Sequence, residues 1–187
     1  MIQKFFTLAI ISICLSTVMQ AQQEETIFGS GGIHFTGLWG GSTNGLIKFE
    51  EEFSLNNGGF FAFELNNNFL IGWSGYGSGE SLEDGRRAEI DGNDLLLGYT
   101  FRSDRAVHPA IYIKGGRGSL DITSENSDRV SVYEPSIGLE ANVFRFMRIG
   151  LEGGYRFVTG VDTPGFSDRD FSSPVVGLRL KFGWSWN

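Results

Sequence analysis

From Val175 to Trp186 the chain alternates almost without error. Val176, Leu178, Leu180, Phe182, Trp184 and Trp186 fall on one face, and Gly177, Arg179, Lys181, Gly183 and Ser185 on the other. Successive side chains leave opposite sides of a pleated strand, so this period is a strand and not a helix. One face is wholly apolar and ends in aromatic residues, while the other carries two cations among glycines. In a chain that opens with an export signal, such a closing strand points to a transmembrane β-barrel.

Lys4 supplies a short positive region, and Phe5 to Val18 is apolar but too short to cross a bilayer as a helix. Met19-Gln20-Ala21 then precedes the polar run Gln22-Gln23-Glu24-Glu25. We expect a signal peptide over residues 1–21 cleaved after Ala21, a flexible segment over 22–30, and one barrel domain over 31–187. The sole cysteine, Cys14, lies inside the signal behind Ile13, which is not the small residue a lipoprotein signal needs. The mature chain therefore has no disulfide framework. A net charge of −7 argues against nucleic acid as a partner. No apolar helix follows the signal, so any membrane span is made of strands.

The pattern predicts an all-β, eight-stranded antiparallel up-and-down transmembrane barrel. Its strands are expected near 31–42, 57–66, 68–78, 92–103, 107–121, 130–142, 146–159 and 174–186. Asn66-Asn67-Asn68, Ser103-Asp104-Arg105 and Asn142-Val143-Phe144-Arg145 read as tight links. Between them lie longer polar segments, 78–92, 121–129 and 160–173. Short links alternating with long ones match short periplasmic turns and long outer loops. Residues 43–57 are expected to extend the first two strands as a hairpin above the membrane, with Asn57-Gly58-Gly59 as a bulge or bend.

Alternation assigns Trp39, Trp73, Tyr99, Tyr133, Tyr155, Phe182, Trp184 and Trp186 to the lipid-facing surface and its aromatic girdle. The opposite face carries Glu64, Arg102, Lys114, Glu134, Glu140, Arg148, Glu152, Arg156, Arg179 and Lys181. Periodicity alone also fits a soluble, lipocalin-like ligand-binding barrel with the apolar face inside. The glycines on the charged face favour the membrane reading. They are poor choices for an exposed strand but leave room for long charged side chains in a narrow lumen. We expect a plugged, salt-bridged interior.

Catalytic readings are weaker than structural ones. His34 and His108 open strands one and five, and their same-face neighbours are Thr36 and Ala110, which do not present a Ser-His pair. A lumen-lining histidine with ordinary hydrogen bonds is the expectation. The interleaved carboxylates and arginines read as mutual neutralisation rather than acid–base catalysis. Glu80, Glu83, Asp84, Glu89 and Asp91, and then Asp162, Asp168 and Asp170, make the outer loops acidic without the spacing of a metal loop. Lys114-Gly115-Gly116-Arg117-Gly118 has no helix after it and is glycine in a strand.

The stretches Phe35-Thr36-Gly37-Leu38-Trp39-Gly40-Gly41, Ile71-Gly72-Trp73-Ser74-Gly75-Tyr76-Gly77, Glu134-Pro135, Gly154-Tyr155-Arg156-Phe157 and Leu180-Lys181-Phe182-Gly183-Trp184 carry a resemblance. The chain resembles small eight-stranded outer-membrane barrels of the OmpX and OmpA-barrel type, and more closely the outer-membrane β-barrel proteins of Bacteroidetes-like bacteria. The resemblance implies the barrel fold and an outer-membrane location, with no assigned reaction; no cofactor and no metal are expected. It implies outer-membrane lipid and the barrel-assembly machinery, read through the C-terminal strand, as partners of a monomer, although Asn187 follows the terminal aromatic. The expected role is structural or a surface interaction through acidic loops, with an unknown surface ligand. The alternatives are a lipid-A-modifying barrel enzyme and the soluble ligand-binding barrel.

Overall fold

A strand with one apolar face must bury that face and also pair both edges. Closure into a barrel satisfies every edge at once. The computed structural model describes residues 32–49, 52–81, 86–123 and 127–186, so the expected signal peptide and flexible segment lie outside the described residues. The strands are β1 (Phe35–Phe49), β2 (Glu52–Leu65), β3 (Phe69–Ser81), β4 (Arg87–Thr100), β5 (Val107–Ile122), β6 (Asp128–Phe144), β7 (Met147–Thr159) and β8 (Ser173–Ser185). Each pairs antiparallel with its sequence neighbours, and β8 returns to β1 to close the barrel.

The closure is staggered, as a tilted-strand barrel requires. A single hydrogen-bonded row leaves β1 at Leu46 and passes through Val176, Gly153, Ile137, Ile111, Tyr99, Phe69 and Leu65. It comes back to β1 at Phe35, a different residue from the one it left. Every member of that row is apolar or glycine.

At one end the strands are joined over residues 66–68, 101–106 and 145–146. Asn66 and Asn67, with φ of 51° and 60°, supply the left-handed turn of the first link, a conformation that asparagine tolerates better than most residues. At the other end the strands run further than the sequence pattern indicates. β4 starts at Arg87 rather than 92, and β6 at Asp128 rather than 130. Much of what reads as polar loop is strand whose outer face is polar.

Three expectations are corrected. Residues 43–57 do extend β1 and β2, but the ladder runs without a shift through Thr43↔Gly58 and Ser42↔Gly59, so no bulge lies at 57–59. Arg102 lies beyond the end of β4, in an exposed turn with φ of 51°. It is outside the lumen because the strand ends at Thr100. Trp39 points inward and is 1 % exposed. The β1–β2 register shifts between Phe35 and Gly37, and this irregularity reverses the parity of β1 after Phe35. Phe35 remains outside while Gly37 and Trp39 face in.

The interior has two apolar clusters. One, built from Trp39, Phe60, Ala62, Leu70, Leu96, Ala110 and Tyr112, forms a wall contributed by β1 to β5. The other contains Ile90, Leu120, Val130, Val132, Val158 and Phe171, with Phe166 packed against it. It lies toward the long-loop ends of β4 to β7.

Candidate functional site

Nine of the ten residues assigned to the charged face converge inside the barrel, and Arg102 does not. Their pairing follows the ladder. Lys114 is the cross-strand partner of Glu134, and its ammonium meets that carboxylate. Arg156 reaches the same Glu134 through Nε at 2.9 Å and Nη2 at 2.8 Å. Arg179 approaches Glu152 through Nη2 at 2.7 Å and 3.0 Å from its two oxygens. The Ser136 hydroxyl also donates to Glu152, at 3.2 Å.

Nearer the short-turn end, Lys181 lies 2.9 Å and 3.1 Å from the two oxygens of Glu140. The Tyr112 hydroxyl donates to Glu140 and accepts from Lys181 at 3.1 Å. His108 Nε2 faces Glu140 at 3.5 Å, and its Nδ1 lies 2.9 Å from the Arg105 carbonyl. Glu64 receives Arg148 at 3.5 Å and the Ser185 hydroxyl. Removing one charge from water inside a protein is costly unless a partner and further hydrogen bonds replace the solvent. Here every lumen glutamate has both.

Room for these side chains comes from glycine. A Cβ on Gly98 would come within 2.6 Å of the Tyr112 ring, and one on Gly150 within 3.3 Å of Glu140 Cγ. The rings have a second use that the sequence reading did not find. Arg179 stands 4.0 Å over Tyr112, Arg148 4.1 Å over Trp39 and Arg156 5.0 Å over Tyr76. A desolvated cation over a ring face gains about 2 kcal/mol. Parity could have revealed Tyr112, two residues before Lys114 on the same face. It could not reveal Trp39, whose side is set by the β1 irregularity.

Asp94 is a further buried acid the sequence reading missed, 3 % exposed. Its Oδ1 has no hydrogen-bond partner among the described residues. Both nitrogens of His108 face a carbonyl or a carboxylate, so its geometry is that of a lumen-lining residue.

The outward face has the opposite character. Trp73, Tyr133, Phe182, Trp184 and Trp186 are exposed, Trp73 and Trp184 by 61 % and 63 %. Tyr155 is 38 % exposed and Tyr99 half-buried beside Phe69 and Phe101. Ile113, Ile137, Leu139, Leu151 and Leu178 also point away from the barrel, each more than half exposed.

On β4 to β7 both faces then reverse together. Inward, the charged Asp94, Lys114, Glu134 and Arg156, which share the lumen with Leu96 and Tyr112, give way to the uncharged Ile90, Leu120, Val132 and Val158. Outward, it changes from Leu95, Gly115, Tyr133 and Phe157 to Asn93, Arg117, Ser131 and Thr159. These outward residues are consecutive same-face rows, Leu95↔Gly115↔Tyr133↔Phe157 and Asn93↔Arg117↔Ser131↔Thr159. The apolar-out segment suits hydrocarbon and the apolar-in segment suits water, so these strands cross a solvent boundary at that step.

Above the step, residues 160–172 fold over the barrel end. Phe171 is buried in the upper cluster with Ile90, Leu120 and the valines of β6 and β7. Asp168 accepts from the Val161 N–H at 2.9 Å, and Asp170 from the Ser167 N–H at 2.7 Å. Asp128 accepts from the Asp162 N–H at 2.9 Å and the Thr163 hydroxyl at 2.7 Å. The acids of this loop and its neighbouring strand hold the loop's own backbone.

No protein-family model matches the chain, and no curated protein matches it by sequence. Solved structures do. The crystal structure of Neisserial surface protein A aligns with a TM-score of 0.58 at 10 % identity, covering 83 % of this chain and 99 % of that one. The N-terminal β-barrel domain of Pseudomonas aeruginosa OprF aligns at 0.57 with 11 % identity, covering 80 % and 98 %. The fold is that of the small eight-stranded outer-membrane barrels. At such identities the likeness is one of architecture, and the chemistry must come from this chain's own side chains.

Proposed function

We propose that this protein is a non-enzymatic integral outer-membrane barrel whose side-chain-filled lumen makes it a rigid support for its outer end. The observation that carries this is the joint reversal of both faces on β4 to β7. A soluble lipocalin-like barrel would keep its apolar residues inside along the whole strand. Here the outward face is apolar for most of the length and turns polar from the Asn93–Thr159 row onward, while the inward face carries buried charges on the membrane side of that row and is lined by Ile90, Leu120 and Val130 beyond it.

The lumen supports a structural role. Paired charges and rings occupy it at several levels, and the upper apolar cluster with Phe171 closes the far end. The outward face meets outer-membrane lipid, and the aromatic outer face of β8 is what the barrel-assembly machinery reads during insertion. The barrel acts as a monomer, and its acidic outer end is the surface for contact with other molecules.

Electrophoretic mobility of the detergent-extracted protein, with and without boiling, tests this reading. A folded membrane barrel resists the detergent at room temperature, so mobility shifts on heating and the protein fractionates with the outer membrane. No shift, with the protein soluble in the periplasm, would overturn it. Lipid A mass spectra from cells with and without the protein are expected to be identical, and a reproducible change in acyl chains would favour a lipid-modifying enzyme instead.

A further inference from the structure

The row of outward residues just inside the boundary is large on both sides of one gap. Leu95 and Tyr133 flank Gly115, which has no side chain. A groove of about 390 Å³ opens there, lined by Leu95, Leu97, Ile113 and Tyr133 and topped by Arg117 and Ser131. Tyr133 forms one wall closely enough that a Cβ on Gly115 would come within 3.1 Å of its ring.

Arg117 stands directly above the gap on the same face of β5. Arg129 is its diagonal neighbour on β6, because Arg117 pairs with Ser131 and Ser119 with Arg129. Both guanidiniums are exposed, and neither has an ion-pair partner among the described residues. The nearest outward acid across β4, Asp91, turns its Oδ1 over Gly77 on β3, the side away from Arg117. Inside the barrel Arg148, Arg156 and Arg179 each lie against a glutamate. Two unpaired arginines at the edge of a hydrocarbon-facing groove therefore call for an anion that comes with its own apolar tail.

We propose that this groove is a binding site for a phosphate-bearing membrane lipid. One acyl chain lies in the notch over Gly115 between Leu95 and Tyr133, and the phosphate is held by Arg117 and Arg129, with the Ser131 hydroxyl as a further donor. Arginine suits this position because its planar fork donates two parallel hydrogen bonds to phosphate oxygens. The notch gives the site its acyl selectivity, and the pair of cations gives it its charge selectivity.

This inference rests on the membrane reading above, which the heat-dependent mobility shift tests separately on the same preparations. The test uses native mass spectrometry of the folded protein in a neutral detergent. Phosphatidylglycerol and phosphatidylcholine with identical acyl chains are added in equal amounts. The wild type is expected to retain phosphatidylglycerol preferentially, by about fivefold for each arginine that contacts it. Arg117→Gln combined with Arg129→Gln should bring the two lipids to parity, and Gly115→Leu should remove both adducts. If Gly115→Leu fails to show the heat shift, Leu95→Trp closes the notch from its other wall. Parity in the wild type would overturn the proposal, as would a preference that survives these substitutions. Displacement of phosphatidylglycerol by millimolar inorganic phosphate would also overturn it, because the site would then be one for a free anion.

Discussion

The Arg148 guanidinium lies 4.1 Å above the Trp39 ring, inside the barrel and beside Glu64. The contact joins β7 to β1 across the lumen, and Lys181 of β8 shares the same ring at 5.7 Å. One aromatic side chain thus fixes the positions of two cations near the closure of the barrel.

Trp39→Leu keeps an apolar group at this position but removes the ring face. It is expected to cost about 2 kcal/mol, the upper range for a desolvated cation–π contact. Urea unfolding of the detergent-solubilised barrel measures it through the shift in midpoint. Trp73→Leu, an outward replacement, should change the midpoint far less.

Glu134 serves two cations, Lys114 and Arg156. Glu134→Gln leaves both short of a counter-charge and should destabilise the barrel by about 3–5 kcal/mol. Replacing all three residues by methionine should recover much of that loss, because a well-packed apolar group can equal a buried ion pair. The same unfolding series compares the single and triple variants.

Neighbouring residues on β7 test the face assignment during assembly. Leu151 points outward, 59 % exposed, and Glu152 inward, 9 % exposed. Leu151→Arg places a charge against hydrocarbon, at a cost of about 2–4 kcal/mol near the bilayer midplane, and should block membrane assembly. Glu152→Gln should assemble in better yield. Equal outer-membrane yields for the two would contradict the assignment.

The segment 160–172 depends on Phe171, 4 % exposed in the upper cluster. Phe171→Ala should release it, so limited proteolysis should cut within 160–172 while the strands stay intact and the heat shift persists. A cutting pattern identical to wild type would mean that the loop's own hydrogen bonds, such as Asp128 with Thr163, hold it without the ring.

Much of this was legible because alternation is a local property that tertiary packing merely selects. The strand count, the closed topology and the inward side of Lys114, Glu134, Arg179 and Lys181 all follow from period and turn signals. Three features were not legible, for distinct physical reasons. The side taken by Trp39 depends on an irregularity between Phe35 and Gly37, and one residue of slip reverses a strand. The position of Arg102 depends on where β4 stops, and alternation continues past a strand end without notice. The starts of β4 and β6 were placed too late because Arg87, Glu89 and Arg129 are polar residues on the watery face of strands whose inward residues are apolar. The cation–ring stack was hidden in a different way. Aromatic residues serve the girdle outside and the arginines inside, so only their parity separates the two uses.

In an inside-out barrel Trp73 meets hydrocarbon and Trp39 does not. Single-tryptophan variants, with the other tryptophans replaced by phenylalanine, test this in vesicles of lipid brominated along the acyl chain. The variant retaining Trp73 should lose most of its fluorescence on moving from ordinary to brominated lipid. The variant retaining Trp39 should lose much less, because the barrel wall lies between its ring and the bilayer. Equal quenching of the two, or stronger quenching of Trp39, would contradict the inside-out barrel.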